Sequence, residues 1–174
     1  MIKIIEYRDE FKKEVSDLIV SIFVDEYGFE HYRESCTNAD YNKYKKTDGN
    51  CWIALSSDGK VIGSIALEGN GPDEAYLKIM YVNGNYRGEG IAQKLYDKLY
   101  EFARKKGYKR IILGTYERLG RAIGFYLKNG FTECPHETYT YDDVYYSVDI
   151  ESPIQKKYVP TTHLNKYSLV KAAV

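Results

Sequence analysis

Cysteine is scarce in this chain of 174 residues, with 3 in all, at positions 36, 51 and 134. They are widely spaced and form no CxxC pair, so neither a disulfide framework nor a zinc ribbon is indicated. Reduced thiols are the expected state. Net charge is absent as well, because Lys+Arg and Asp+Glu stand at 25 each. That balance gives no general pull toward nucleic acid or acidic lipid. No apolar run approaches the roughly 18 residues needed to span a bilayer. The opening stretch "MIKIIEYRDE" is too short and too charged for a secretory signal. A soluble cytoplasmic protein is expected, with neither nucleic acid nor a membrane as partner.

What is present is an ordinary globular composition, 44% hydrophobic and 29% charged, in a chain long enough for one domain with a real core. Tyrosine is over-represented, at 19 residues. Rings of that kind can line a pocket that is both apolar and hydrogen-bonding.

Hydrophobic periodicity sets out the elements. Ile2, Ile4 and Ile5 suggest a strand to about Tyr7. Phe11, Val15, Leu18, Ile19, Ile22 and Phe23 form the stripe of a core-facing helix over about 9–27. Residues 28–48 are polar and tyrosine-rich and read as a short helix and loop. "CWIALSSDGKVIGSIALE" reads as a hairpin around Asp58-Gly59. "GNGPDE" breaks the pattern, and "EAYLKIMYV" follows as a strand with Ala75, Leu77, Ile79 and Tyr81 on one face. The opposite face is only partly polar, as in a sheet covered on both sides.

A helix then carries Ile91, Leu95, Leu99, Phe102 and Ala103 as its stripe and stops at Gly107 after Arg104, Lys105 and Lys106. "YKRIILGTY" reads as a buried strand, "GRAIGFYLKNGF" as a second helix ending at Asn129-Gly130, and "FTEC" and "DVYYSVDI" as closing strands. The order predicts an α/β fold, a central mixed sheet flanked by helices. The strands "LKIMYV" and "RIILGT" should run parallel, because a helix joins them. One domain is expected over 1–150, with 151–174 as a C-terminal extension without a clear period.

The informative stretch is "NYRGEGIAQKL", residues 85–95. Two glycines stand one residue apart between a strand and a helix, just after an arginine. Bare backbone permits close approach of a ligand. The unpaired first amides of a helix, with its dipole, favour an anion, and phosphate best. Arg87 adds a full charge with a forked set of donors. A P-loop is excluded, because GxxxxGK followed by Ser or Thr is absent. A dinucleotide fingerprint would need glycine or alanine where Gln93 stands. On spacing alone, a plain tight turn at a helix start remains open.

The stretch "YLKIMYVNGNYRGEGIAQKLYDKLYEFARKKGYKRIILGT" resembles the central motif of the GNAT superfamily of acetyl-CoA-dependent N-acetyltransferases. The family signature Q/R-x-x-G-x-G/A is matched by Arg87, Gly88, Glu89, Gly90, Ile91 and Ala92. "AIGFYLKNGF" is similar to the family's late helix. The resemblance covers roughly residues 1–150.

It implies a GNAT fold with acetyl-CoA as cosubstrate and a small-molecule or peptide amine as acceptor. Residues 87–92 would bind the coenzyme diphosphate through backbone N–H groups. Met80, Tyr81 and Val82 would line the pantetheine, and an N–H near Met80 would polarise the thioester carbonyl. Tyr126 matches the family's general acid. Glu74 and Glu68 are candidates for a base, with Asp73 behind them, and water could also take the proton. The family's asparagine seven residues before the acid is Leu119 here, so no role passes to it. A homodimer would be in keeping with the family. The alternative is a catalytically silent module that holds acyl-CoA as sensor or scaffold.

Other signals carry less. No metal site is expected, since Cys134 and His136 are too few as ligands and His31 and His163 have no partners in sequence. "RKKGYKR" reads as a solvated helix end. Tyr27, Phe29 and Tyr32 are candidates for an acceptor pocket, and equally for ordinary core.

Overall fold

The computed structural model describes residues 1–135 and 144–150 and contains two compact units, Met1–Tyr108 and Lys109–Val174. In the first unit, β1 (Lys3–Glu6), β2 (Asn50–Leu55), β3 (Val61–Asn70) and β4 (Glu74–Val82) form antiparallel pairs in chain order. The Asp58-Gly59 hairpin is present, with Gly59 at φ 83° and the Ser56 and Lys60 backbones bonded across the turn. The expected break at "GNGPDE" is narrower than its composition suggests. Asn70 pairs with Glu74, so only 71–73 lie outside the strands. Gly71 at φ 79° supplies the tight reversal.

Both faces of this sheet are covered, which explains its near-continuous apolar strands. On one face, Cys51, Ile53 and Ala66 pack with Val15, Leu18 and Ile19 of α1 (Lys12–Ile19). On the other lies α3 (Ile91–Lys106), whose Ile91, Leu95, Leu99 and Ala103 are buried as the stripe requires. Its Phe102 is half-buried and meets Trp52 edge-on at 5.1 Å. Burying each large apolar side chain contributes about 1.5–3 kcal/mol. α1 is also tied to the sheet by polarity, since the Val61 N–H donates to the Glu14 carboxylate at 3.0 Å.

The helix expected over 9–27 is present but changes its winding. A 3₁₀ turn at Asp9–Phe11 leads into α1, and Val20–Glu26 widens into π-helical turns, with the Tyr27 N–H bonding the Ile22 carbonyl at 3.1 Å. Two local causes are visible. The Ser21 hydroxyl donates to the Leu18 carbonyl at 2.8 Å, competing with the backbone ladder, and β-branched residues crowd the segment. Residues 28–48 form two 3₁₀ segments, Glu30–Tyr32 and Tyr41–Thr47, around α2 (Arg33–Thr37).

In the second unit, β5 (Arg110–Thr115) pairs antiparallel with β7 (Val144–Asp149), which in turn pairs with β6 (Thr132–Glu133). Between β5 and β6 runs α4 (Gly120–Lys128), closed by Gly130 at φ 85° as Asn129-Gly130 implied. His136, His163 and the extension 151–174 lie outside the described residues. All three cysteines are free, and among the described residues no helix is long and apolar enough to cross a membrane.

Candidate active site

Two backbone devices follow one another along 78–92. The first is a bulge in β4. Ala66 pairs with Lys78 and Ser64 with Tyr81, so Ile79 and Met80 together oppose the single residue Ile65. Ile79 takes a left-handed conformation at φ 44°. For a β-branched residue this costs on the order of 1–3 kcal/mol and persists only where its surroundings enforce it. Ser64 is part of that enforcement: fully buried, its hydroxyl donates to the Ile79 carbonyl at 2.7 Å. A bulge interrupts the ladder and re-aims backbone groups; the interruption falls at Ile79 and Met80, and pairing resumes at Tyr81 and Val82, all four half-buried.

The second device is the turn from β4 into α3. The Asn83 side chain accepts from the Asn85 N–H at 3.0 Å and starts a 3₁₀ turn at Gly84–Tyr86. Gly88 and Gly90 follow with φ of 83° and 74°. Gly90 caps α3 with no side-chain cap bond, and a Cβ placed on it would meet nothing within 4 Å. No side chain caps the first amides of α3, and the space beside Gly90 is open, features that an anion site at a helix start requires. Gly88, Glu89 and Gly90 are exposed, while Ile91 is buried and Ala92 half-buried, anchoring the helix. Gly63 fixes the helix against the sheet: a Cβ there would lie 3.0 Å from Leu95 and 3.3 Å from Ile91.

Arg87 is not aimed at that space. Its guanidinium is held bidentately by Glu26, at 2.9 and 2.6 Å, and its Nε–H donates to the Val82 carbonyl at 3.3 Å. The pair raises the Arg87 pKa above its ordinary value through the hydrogen bond to Glu26, against a smaller opposing effect of burial.

Tyr126 lies on α4, buried, with the Phe131 ring 5.7 Å away. Among the described residues its hydroxyl has no hydrogen-bond partner, and burial pushes its pKa up. Like any tyrosine it is a neutral O–H at physiological pH, and burial extends that range upward. Leu119 precedes the helix without any side-chain cap bond. Glu74 is the half-buried first residue of β4, opposite Asn70, and Glu68 lies opposite Tyr76. At 3.2–3.4 Å per residue, Glu74 stands about 16 Å along the strand from the bulge.

The remaining signals resolve simply. Among the described residues no cluster of His, Cys, Asp and Glu could hold a metal. Within "RKKGYKR", Lys105 pairs with Glu101 and Lys106 with Asp48. Phe29 is buried and stacks on Phe23 at 4.3 Å, and exposed His31 lies 4.2 Å from the Tyr32 ring. Tyr27 is half-buried. Three site features had no sequence signal: the Ile79 bulge, its Ser64 partner and the Glu26 clamp, which is 61 residues from Arg87.

The chain is similar to known acetyltransferases. It is 46% identical over 74 residues to N-acetylaspartate synthetase of Xenopus tropicalis, a match covering 41% of this chain and 27% of that protein. It is 30% identical over 115 residues to N-acetyltransferase family 8 member 2 of Rattus norvegicus, covering 61% of this chain and 50% of that one. The chain thus spans half or less of the length of these curated relatives. A crystal structure of an acetyltransferase of the GNAT family from Staphylococcus aureus Mu50 superposes with a TM-score of 0.78 at 28% identity, over 87% of this chain and all of that one. The fold is accordingly the mixed sheet with flanking helices of that family. The profile of the Acetyltransferase (GNAT) family matches residues 13–131, and the chain belongs to that family.

Proposed function

We propose that the protein transfers the acetyl group of acetyl-CoA to a primary amine by direct attack on the thioester. The observation that carries this is the pairing of an uncapped, open helix start at Gly90 with the bulge at Ile79, earlier in the same stretch of chain. Residues 80–92 suit such a cosubstrate. The amides of 88–92 hold the diphosphate at the start of α3, and the backbone of Met80, Tyr81 and Val82 lines the pantetheine. The re-aimed N–H near Met80 donates to the thioester oxygen as negative charge develops there, a contribution typically worth about 100- to 1,000-fold in rate.

The neutral amine forms the new C–N bond while the C–S bond breaks. Tyr126, a neutral phenol at physiological pH, gives its proton to the departing thiolate, a role worth about 100- to 10,000-fold. The amine's own proton leaves through water. Glu74 serves as its acceptor only by such a relay, since about 16 Å of strand exceeds hydrogen-bond reach. An amino-acid amine is the first acceptor to try, because one relative is named for making N-acetylaspartate.

The test is an amine panel assayed for released CoA thiol with wild type and Tyr126→Phe. The expected result is turnover with at least one amine, and a kcat lowered about 100-fold or more in the variant while coenzyme binding persists. Binding without turnover across the panel would favour a silent acyl-CoA-holding module instead.

A further inference from the structure

The conspicuous cation of the glycine turn is already engaged. Arg87 presents its two-pronged face to Glu26, and the pair is partly desolvated, with side chains 26% and 37% exposed. Its third donor closes on the Val82 carbonyl, at the end of β4. The guanidinium folds back over its own turn, 3.6 Å from where a Cβ on Gly84 would sit. Bidentate Arg–carboxylate geometry of this kind is among the stronger and more directional ion pairs.

Glu26 is the last residue of the π-helical segment Val20–Glu26. The same segment carries Phe23, which stacks on Phe29 and lies 6.0 Å from Tyr81 of β4. The end of β4, the phosphate turn and the π-helical segment thus meet at one guanidinium. Three of the five guanidinium N–H donors are thus taken, and a phosphate approaching the other two would come beside the negative charge of the Glu26 carboxylate.

We infer that Arg87 acts as a strut rather than as a phosphate ligand, and that Glu26 is its positioning residue, holding the diphosphate turn in shape from the π-helical segment. This rests on the acetyl-CoA reading above. It concerns which groups carry the diphosphate: the backbone amides of 88–92 bind it, and the ion pair sets where those amides stand.

A charge swap separates a strut from a ligand. Acetyl-CoA binding is measured by calorimetry for wild type, Glu26→Arg, Arg87→Glu and the double variant, with thermal melts to confirm folding. Each single variant is expected to weaken binding about 3- to 30-fold, inside the span for coupled neighbours, and the swap to restore it to within about 3-fold of wild type. Steady-state rates should show the loss in KM for acetyl-CoA with kcat little changed. With acetyl-pantetheine, which lacks the diphosphate, the single variants should lose less relative to wild type than they do with acetyl-CoA. A swap that binds as poorly as Arg87→Glu, or a Glu26→Gln variant that binds more tightly than wild type, would overturn the strut and make Arg87 a phosphate ligand that Glu26 restrains. A folded wild type that does not bind acetyl-CoA would overturn the cosubstrate reading and this inference together.

Discussion

The left-handed residues at 79 and 90 are reached by opposite routes. Gly90 adopts φ 74° at little cost, because glycine has no Cβ to clash. Ile79 adopts φ 44° against the strong preference of a β-branched side chain, and Ser64, buried beneath it, holds its carbonyl at 2.7 Å. One conformation is built into the residue itself and the other is imposed by packing. Bare backbone at the turn into α3 is therefore cheap and local, whereas the bulge in β4 depends on the sheet around it.

The sharpest way to break the contrast is Gly90→Tyr. Its Cβ would enter open space, and its ring would stand where the ligand is expected. Acetyl-CoA affinity should drop by more than about 100-fold, while the left-handed strain costs only about 1–2 kcal/mol of stability. Calorimetry beside a thermal melt reads both. Ser64→Ala should do the reverse. Losing a buried hydrogen bond costs about 1–3 kcal/mol in a denaturant titration. Coenzyme affinity should stay near wild type while kcat falls about 10-fold, a fraction of the loss for a whole oxyanion donor.

Ile79→Gly tests the strain itself. Release of the left-handed strain offsets much of the lost packing, so the net change should be about 1 kcal/mol or less. Ile65→Ala, at the fully buried residue opposite, should cost about 2–5 kcal/mol in the same assay. Smallest in the usual working range is the effect of pH. Burial raises the pKa of Tyr44, Tyr96 and Tyr126 above the ordinary tyrosine value. The folded state thus favours their protonated forms, and stability from this source is fully present below about pH 10 and declines as pH rises beyond it. Urea midpoints should be flat between pH 7 and 9 and fall at higher pH, where a rise would contradict the burial.

How much of this could be read in advance follows the same division. The turn was legible because Arg87-Gly88-Glu89-Gly90 states its own backbone requirements and α3 states its period. The Asp58-Gly59 hairpin and the stops at Gly107 and Gly130 were legible for the same reason. The bulge was not, since isoleucine in a strand argues for regular pairing and nothing local marks Ser64 as its partner. The widening of the first helix at Val20–Glu26 was hidden because a hydrophobic stripe reports which face is buried and says little about winding. The Glu26 clamp was hidden because ion pairs across 61 residues leave no trace in spacing. Arg87 was visible as a cation, but its orientation was set by a residue far away in the chain.

The most direct measurement is calorimetric titration of the wild-type protein with acetyl-CoA, run beside Gly90→Tyr with both proteins shown to be folded. Saturable binding by wild type that the variant loses is the expected result, and it would put the diphosphate at residues 88–92. No binding by folded wild type, or equal binding by both proteins, would contradict the central claim.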